Sequence, residues 1–302
     1  MSRLLESTVV VSVRCRMPGV QRRMRPGEAV VRRAGAEDED GQADQTCLRV
    51  SKELLRSATY KEIGDLVRDL KSRIDSRRVD ARSLLRGGSY MVPVASVESL
   101  VADIEATIAK FEAKADAFAD EYPARVDEAR NRLGEFWDAR EYPSAERVRA
   151  AFGLEYQLLD LAVPGESKLG EVIHQAQVQA FAARVKNAEQ EVWAALRVGL
   201  LDAIKALANV LSPKPDGKRR ALRDGRIERF HEFLAGLKPL NVMADGELDA
   251  IAAEARALVA GRSTESIRAN DDLREAVRSG MAAVAAKLEA MCVDLPARKF
   301  KE

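Results

Sequence analysis

The stretch "VESLVADIEATIAKFEAKADAFADEYPARVDEARNRLGEF", Val97–Phe136, decides how the rest of the chain is read. Within it Val97, Val101, Ile104, Ile108, Phe111, Ala115, Phe118, Tyr122, Val126, Ala129, Leu133 and Phe136 follow one another in steps of four and three without a slip. On a helix that spacing holds one apolar stripe on one face, a heptad seam that calls for a partner helix along its length. Pro123 falls inside the seam, removes one backbone bond and predicts a kink or break between Asp120 and Pro123. The seam resumes in phase beyond it, which favours one kinked helix over two separate ones.

Working outward, "LLRGGSYMVPV" (Leu84–Val94) precedes this helix. Its paired glycines invite comparison with a phosphate-binding loop, but the lysine and second glycine of that motif are missing, and the helix starts only after Val92-Pro93. A turn followed by a strand over 87–93 is the reading, with Ser96 capping the long helix. "TVVVSVRCRM" is a strand over 8–16, its β-branched run stopped by Pro18-Gly19. Residues 17–46, arginines followed by "AEDEDGQAD", read as a solvated charged loop. A helix is expected from Val50 to about Val79, carried by Leu54, Leu55, Ile63, Leu66, Val67, Leu70 and Ile74. Past the long helix, Ser144 caps a short one, and Leu154–Val163 reads as a third strand ended by Pro164-Gly165.

A second long helix is expected over 168–211. Its seam is Val178, Phe181, Val185, Ala188 and Val192, extended by Leu196, Leu200, Ile204, Leu207 and Leu211. "SPKPDGKRR" breaks the chain, and shorter helices follow over 219–237, 246–260 and 264–292. The fold class is therefore mainly α (α+β): a long antiparallel helical hairpin or bundle with a small two- to three-stranded sheet at one end. The chain divides by sequence into a strand and charged loop (1–46), the hairpin with its sheet (47–212) and a region of shorter helices (213–302).

Composition narrows the chemistry. The 302 residues carry 49 basic and 48 acidic side chains, a net charge of +1, so no global field favours nucleic acid or an anionic membrane. No apolar stretch reaches the roughly 18 residues of a membrane span. Cys15, Cys47 and Cys292 are odd in number and widely spaced, which fits a reducing cytoplasm and forms neither a disulfide framework nor a zinc signature. No cysteine has a nearby histidine in sequence and no nucleophile elbow occurs. Two constellations remain. Glu171 with His174, and Glu228 with His231, repeat the Glu-x-x-His spacing of ferritin-like di-iron bundles, which also require a lone glutamate from each of two further helices. Lys214, Lys218, Arg219, Arg220, Arg223 and Arg226 form a basic stretch able to contact phosphates, without interleaved aromatics for base stacking.

The segment "LRGGSYMVPVASVESLVADIEATIAKFEAKADAFADEY" resembles a recurring segment of a phage and prophage family, domain of unknown function 3150. There a glycine-glycine-aromatic turn and a Val-Pro precede a long helix rich in Ala, Glu and Phe. "YPSAERVRAAFGLEYQLLDLAVP" is similar to that family's second hallmark, a Pro-Ser before a short helix and an aromatic strand. The resemblance extends over about residues 5–240. It implies a phage or prophage origin in a bacterial cytoplasm, no assigned activity, and genes neighbouring MoxR-type AAA+ ATPases and von Willebrand A-like proteins. The expected function is a non-enzymatic helical adaptor or scaffold without a cofactor, docking a protein partner such as that ATPase through Val97, Val101, Ile104, Ile108, Phe111, Phe118 and Tyr122. A homo-oligomer is compatible with the same seam. The alternatives are a nucleic-acid-associated phage protein using residues 214–226 and a di-iron protein using the two Glu-x-x-His pairs.

Overall fold

The computed structural model describes residues 2–24, 50–85, 87–162, 165, 171–214 and 218–292. Among the described residues there are nine α-helices and five named strands. The chain forms two compact units: Met1–Ser12, Ile74–Leu100 and Gln157–Glu302 in one, Val13–Arg73 and Val101–Tyr156 in the other. Each unit is assembled from discontinuous segments, where the sequence pattern suggested consecutive ones.

Helix α1 (Arg3–Glu6) leads into β1 (Thr8–Arg16), which is central in a three-stranded sheet of order β4-β1-β5, with β4 at Ser89–Pro93 and β5 at Gly153–Leu159. These are the three strands read from the sequence. The β1–β4 pairing is antiparallel, from Thr8 opposite Pro93 to Ser12 opposite Ser89. Gly88 makes the turn into β4 with φ +87°, a left-handed conformation that favours glycine. The chain then enters helix α3 (Val94–Leu133) directly from Pro93, whose ring presets a helical φ. Val94 N donates to Ser7 O at 2.9 Å. Ser96 therefore lies inside the first turn and is not the cap.

In the second unit a two-stranded ribbon joins β2 (Gln21–Met24) to β3 (Val50–Glu53), with Arg22 opposite Lys52. Both strands correct the sequence reading, which placed loop over the first and helix over the second. Their charged, alternating residues carry no apolar signal, and pairing between distant segments decides them. The remainder of the expected charged loop, residues 25–46, lies outside the described residues. Helix α2 (Ala58–Arg77) starts later than expected, where the Ser57 Oγ accepts from Tyr60 N at 3.1 Å.

Helix α2 runs antiparallel to α3. Ser57 reaches Glu121, Lys114 pairs with Glu62, and Arg73 donates to Thr107 Oγ1 at 2.8 Å. Helix α3 continues through the exposed Pro123 to Leu133 as one helix, as the in-phase seam indicated, and not as two helices broken at the proline. Helix α4 (Ala145–Ala151) begins at Ser144, whose hydroxyl accepts from Arg147 N at 3.4 Å, as its sequence indicated.

A buried ion pair fastens the ribbon to this unit. Lys52 meets Glu141 in the 3-10 turn Ala139–Glu141, and their side chains are only 10% and 8% exposed. Lys52 Nζ also donates to Phe136 O at 2.7 Å, and Arg22 Nε lies 3.3 Å from the Glu141 carboxylate. Arg132 donates to Glu53 O at 3.1 Å.

In the first unit the 41-residue helix α5 (Glu171–Leu211) packs chiefly against α9 (Asp271–Cys292). Leu200, Ile204, Leu207 and Leu211 share a core with Val277, Met281, Val284 and Leu288. Helix α6 (Arg226–Leu240) and helix α7 (Gly246–Val259) complete that core. At Gly280 a Cβ would fall 2.5 Å from a Leu258 methyl, so a side chain there would require Leu258 to move. The expected helix over 264–292 is two, α8 (Thr264–Ala269) and α9, because Asn270 ends one and caps the other through Leu273 N at 3.0 Å. Arg197 on α5 binds Asp245, the residue that caps α7 through Leu248 N at 3.1 Å.

Replacing Lys52 with Met would strand the Glu141 carboxylate in a nearly dry site, with only Arg22 left to answer it. A loss of about 3 kcal/mol is expected in denaturant unfolding of the full chain, and the double variant Lys52→Met/Glu141→Leu should recover most of it.

Candidate functional site

The α3 seam comes first, because it was the expected docking surface. Ile104, Phe111, Phe118 and Tyr122 are each under 5% exposed, while Val97, Val101 and Ile108 are half-buried. Phe118 lies 5.5 Å from the Tyr60 ring of α2 and 5.6 Å from Phe152, and Phe111 lies 6.0 Å from Phe152. The seam is thus occupied by its own unit: its partner helix is α2, and the cluster is core. A periodic stripe shows that a helix needs cover, but not whether that cover comes from the same chain.

The two Glu-x-x-His pairs are engaged elsewhere. The Glu228 carboxylate accepts from Thr264 Oγ1 at 3.0 Å, and its own backbone amide and that hydroxyl hold it below the usual range. His231 Nε2 lies 3.3 Å from Val259 O, so both residues tie α6 to the end of α7 and the start of α8. Glu171 accepts from Gln175 Nε2 at 2.6 Å, and His174 is half-buried on the first turn of α5. Among the described residues, no three His, Cys, Asp or Glu side chains gather as a metal site would require. Burial pushes the thiols of Cys15 and Cys292 up, away from the thiolate a nucleophile needs. Cys47 lies outside the described residues.

The basic stretch is only partly available to an outside partner. Its chain folds back on itself, with Lys214 N donating to Lys218 O at 2.7 Å and Pro213 bridged to Arg219. Arg219 pairs with Asp271. Arg274, which the sequence did not single out, reaches into the same region and donates to Val210 O (2.9 Å), Leu211 O (3.0 Å) and Arg220 O (2.9 Å). It therefore closes the C-terminus of α5, where free carbonyls and the helix dipole favour a cation. Arg223 is exposed and Arg226 is half-buried in the first turn of α6.

One surface that the seam argument did not separate out is the N-terminal third of α5. From Val185 through Ala188 to Val192 its seam is buried, but one and two turns earlier Val178 and Phe181 are only half-buried. In the first turn, off this stripe, Val172 and Ile173 are 82% and 55% exposed. The spacing of four and three runs from Val192 back to Val178, and the positions that would continue it are His174 and Glu171. Val178 and Phe181 thus form a half-covered apolar ridge on α5.

Compared with known proteins, one family profile matches residues 51–242, well over half of the chain. The chain belongs to the DUF3150 family. That family is described only as a protein of unknown function, so it supplies a lineage and no activity. The match ends where the resemblance read from sequence ended but begins at β3, leaving β1 outside it. In this DUF3150 protein the matched span contains the α3 core, the α5 ridge and the basic stretch, whereas Arg274 and Asp245 lie beyond it. No curated protein and no solved structure gives a match. Among the described residues no helix is long and apolar enough to cross a membrane.

The burial of the α3 seam can be read from one phenol. Desolvation, reinforced by the neighbouring Tyr142, pushes the Tyr122 phenol up to about 12. A free tyrosine ionises near 10, so the folded state holds this proton more tightly. The stabilisation is complete below pH 10 and is lost as the pH rises toward 12. Ultraviolet phenolate titration of the native protein should show a last step near that value, absent from Tyr122→Phe. A normal titration of every tyrosine would mean that the seam is open.

Proposed function

We propose that this DUF3150 protein is a non-enzymatic helical adaptor whose docking surface is the N-terminal third of α5. The single observation that carries this reading is apolar surface left uncovered at the start of α5: Val178 and Phe181 continue the packed seam in register but are only half-buried, and Val172 and Ile173 are exposed in the first turn. The flanking positions Gln175, Gln177 and Gln179 are uncharged, so they raise no like-charge barrier to an approaching helix. The partner in this reading is a MoxR-type AAA+ ATPase, and the chain's origin is phage or prophage. The family resemblance supplies both. The partner is expected to present an amphipathic helix with apolar residues at i, i+3, i+4 and i+7.

The test is calorimetric titration of the full chain against a purified MoxR-type AAA+ ATPase. Wild type should bind, and Val172→Asp/Ile173→Asp, like Phe181→Asp, should weaken binding by roughly ten-fold or more, the cost of a buried charge at an interface centre. The melting temperature of Val172→Asp/Ile173→Asp should not change, because both positions are exposed. Absence of binding, or undiminished binding by both variants, overturns the reading. So does a wild-type dimer that these variants dissociate, since the ridge would then be an interface between two copies.

A further inference from the structure

Away from the ridge, a groove of about 430 Å³ is lined by Arg219, Arg220, Ala221, Leu222, Arg268 and Arg274. Four of the six are arginines and none is a carboxylate. Two of these arginines have solvated counterions: Asp271, beside Arg219, has a side chain 68% exposed, and Asp224, beside Arg268, 89%. Pairs of that kind hold little energy and are readily exchanged for another anion.

Among the described residues the other two have no carboxylate partner. Arg274 is 6% exposed, and all its hydrogen bonds run from Nε and Nη2 to the carbonyls of Val210, Leu211 and Arg220. Among the described residues no carboxylate pairs with it. Arg220 has a buried Nε with no hydrogen-bond partner. Buried cations are ordinarily paired, and a buried donor left unbonded costs free energy that a ligand can restore. Burial, and secondarily the charge of Arg219, lower the Arg274 guanidinium from its usual range.

Guanidinium groups present forked donors that match an oxyanion, and several converging on one concavity are a phosphate-recognition arrangement. We propose that the groove between the Arg219–Leu222 segment and helices α8 and α9 is a binding site for a phosphate group, with Arg220 and Arg274 as its buried donors and Arg219 and Arg268 at its rim. This site is independent of the α5 ridge. It recruits only two residues of the basic stretch, Arg219 and Arg220, and adds two that follow it by about fifty positions. A phosphate here would neutralise a cation that also closes the C-terminus of α5, so its occupancy should stabilise the first unit.

Arg274 is unsuitable for the test because its loss would open the α5 terminus. Arg220 contributes its carbonyl to Arg274 through the backbone, so Arg220→Gln leaves that bond in place. The full chain is titrated at low salt with inorganic phosphate, and separately with a short single-stranded oligonucleotide, by calorimetry and thermal melting. Inorganic phosphate should bind and raise the melting temperature, and Arg220→Gln/Arg219→Gln should weaken binding by roughly ten-fold or more. Arg149→Gln, in the other unit, should bind as wild type. A stronger, salt-dependent response to the oligonucleotide assigns the phosphate to a polynucleotide, and a response to inorganic phosphate alone assigns it to a small molecule. The proposal fails if neither probe binds, if the double variant binds as wild type, or if Arg149→Gln weakens binding equally.

Discussion

An apolar stripe on a helix of forty residues has to be covered, and the second unit is built around doing so. From Ile104 to Ala129 the α3 stripe carries five residues at 5% exposure or less that are Phe, Tyr, Ile or Ala at seam positions, besides Ala129 itself. Burying a side chain the size of Phe contributes about 2–3 kcal/mol, while an exposed ion pair such as Arg149 with Asp120 contributes about 0–1. The aromatic contacts of Phe111 and Phe118 with Tyr60 and Phe152 therefore outweigh the many surface ion pairs of the same unit. Helix α2, the short helix α4 and the residue that follows it lie where that stripe needs them.

Polar groups then fix details that hydrophobic cover leaves loose. Apolar contact is nondirectional, so it does not by itself dictate where a ribbon or a helix end must sit. Lys52 with Glu141 places the β2–β3 ribbon against the 3-10 turn after α3. Arg197 with Asp245 fixes the start of α7 beside α5. Arg274 fixes the end of α5 by bonding its last carbonyls. Each of these interactions joins residues far apart in sequence, and each is buried or nearly so. Their loss is felt through an unpaired buried group more than through the bond itself.

The three strands, both long helices and the cap at Ser144 were legible because each has a local signal: β-branched runs, unbroken spacing of four and three, and a hydroxyl ahead of a helix. The β2–β3 ribbon was not, because Arg22, Arg23, Ser51 and Lys52 carry no periodic apolar residue. The split at Asn270 was missed for a different reason: the apolar spacing runs across it, and only the cap geometry shows the break. Of the basic candidates, Lys214, Lys218, Arg219 and Arg223 are exposed, and Arg220 and Arg226 are half-buried. Arg274 had no local signal, since a lone arginine on an amphipathic helix looks like any solvated one.

By itself the sequence determined the two long helices and the three strands of the main sheet, because those depend on spacing within a few residues. It also determined that two long apolar stripes needed partners. Only the tertiary structure decided which elements supplied them: α2 for α3, α9 for the C-terminal part of α5, and the cluster of Leu4, Val10 and Met91 for Ala188 and Val192. It alone brought Arg274 to the carbonyls of Val210, Leu211 and Arg220. The physical reason is the same in both cases. Periodicity records that a surface must leave water or that a charge must be answered, and only three-dimensional packing selects what answers it.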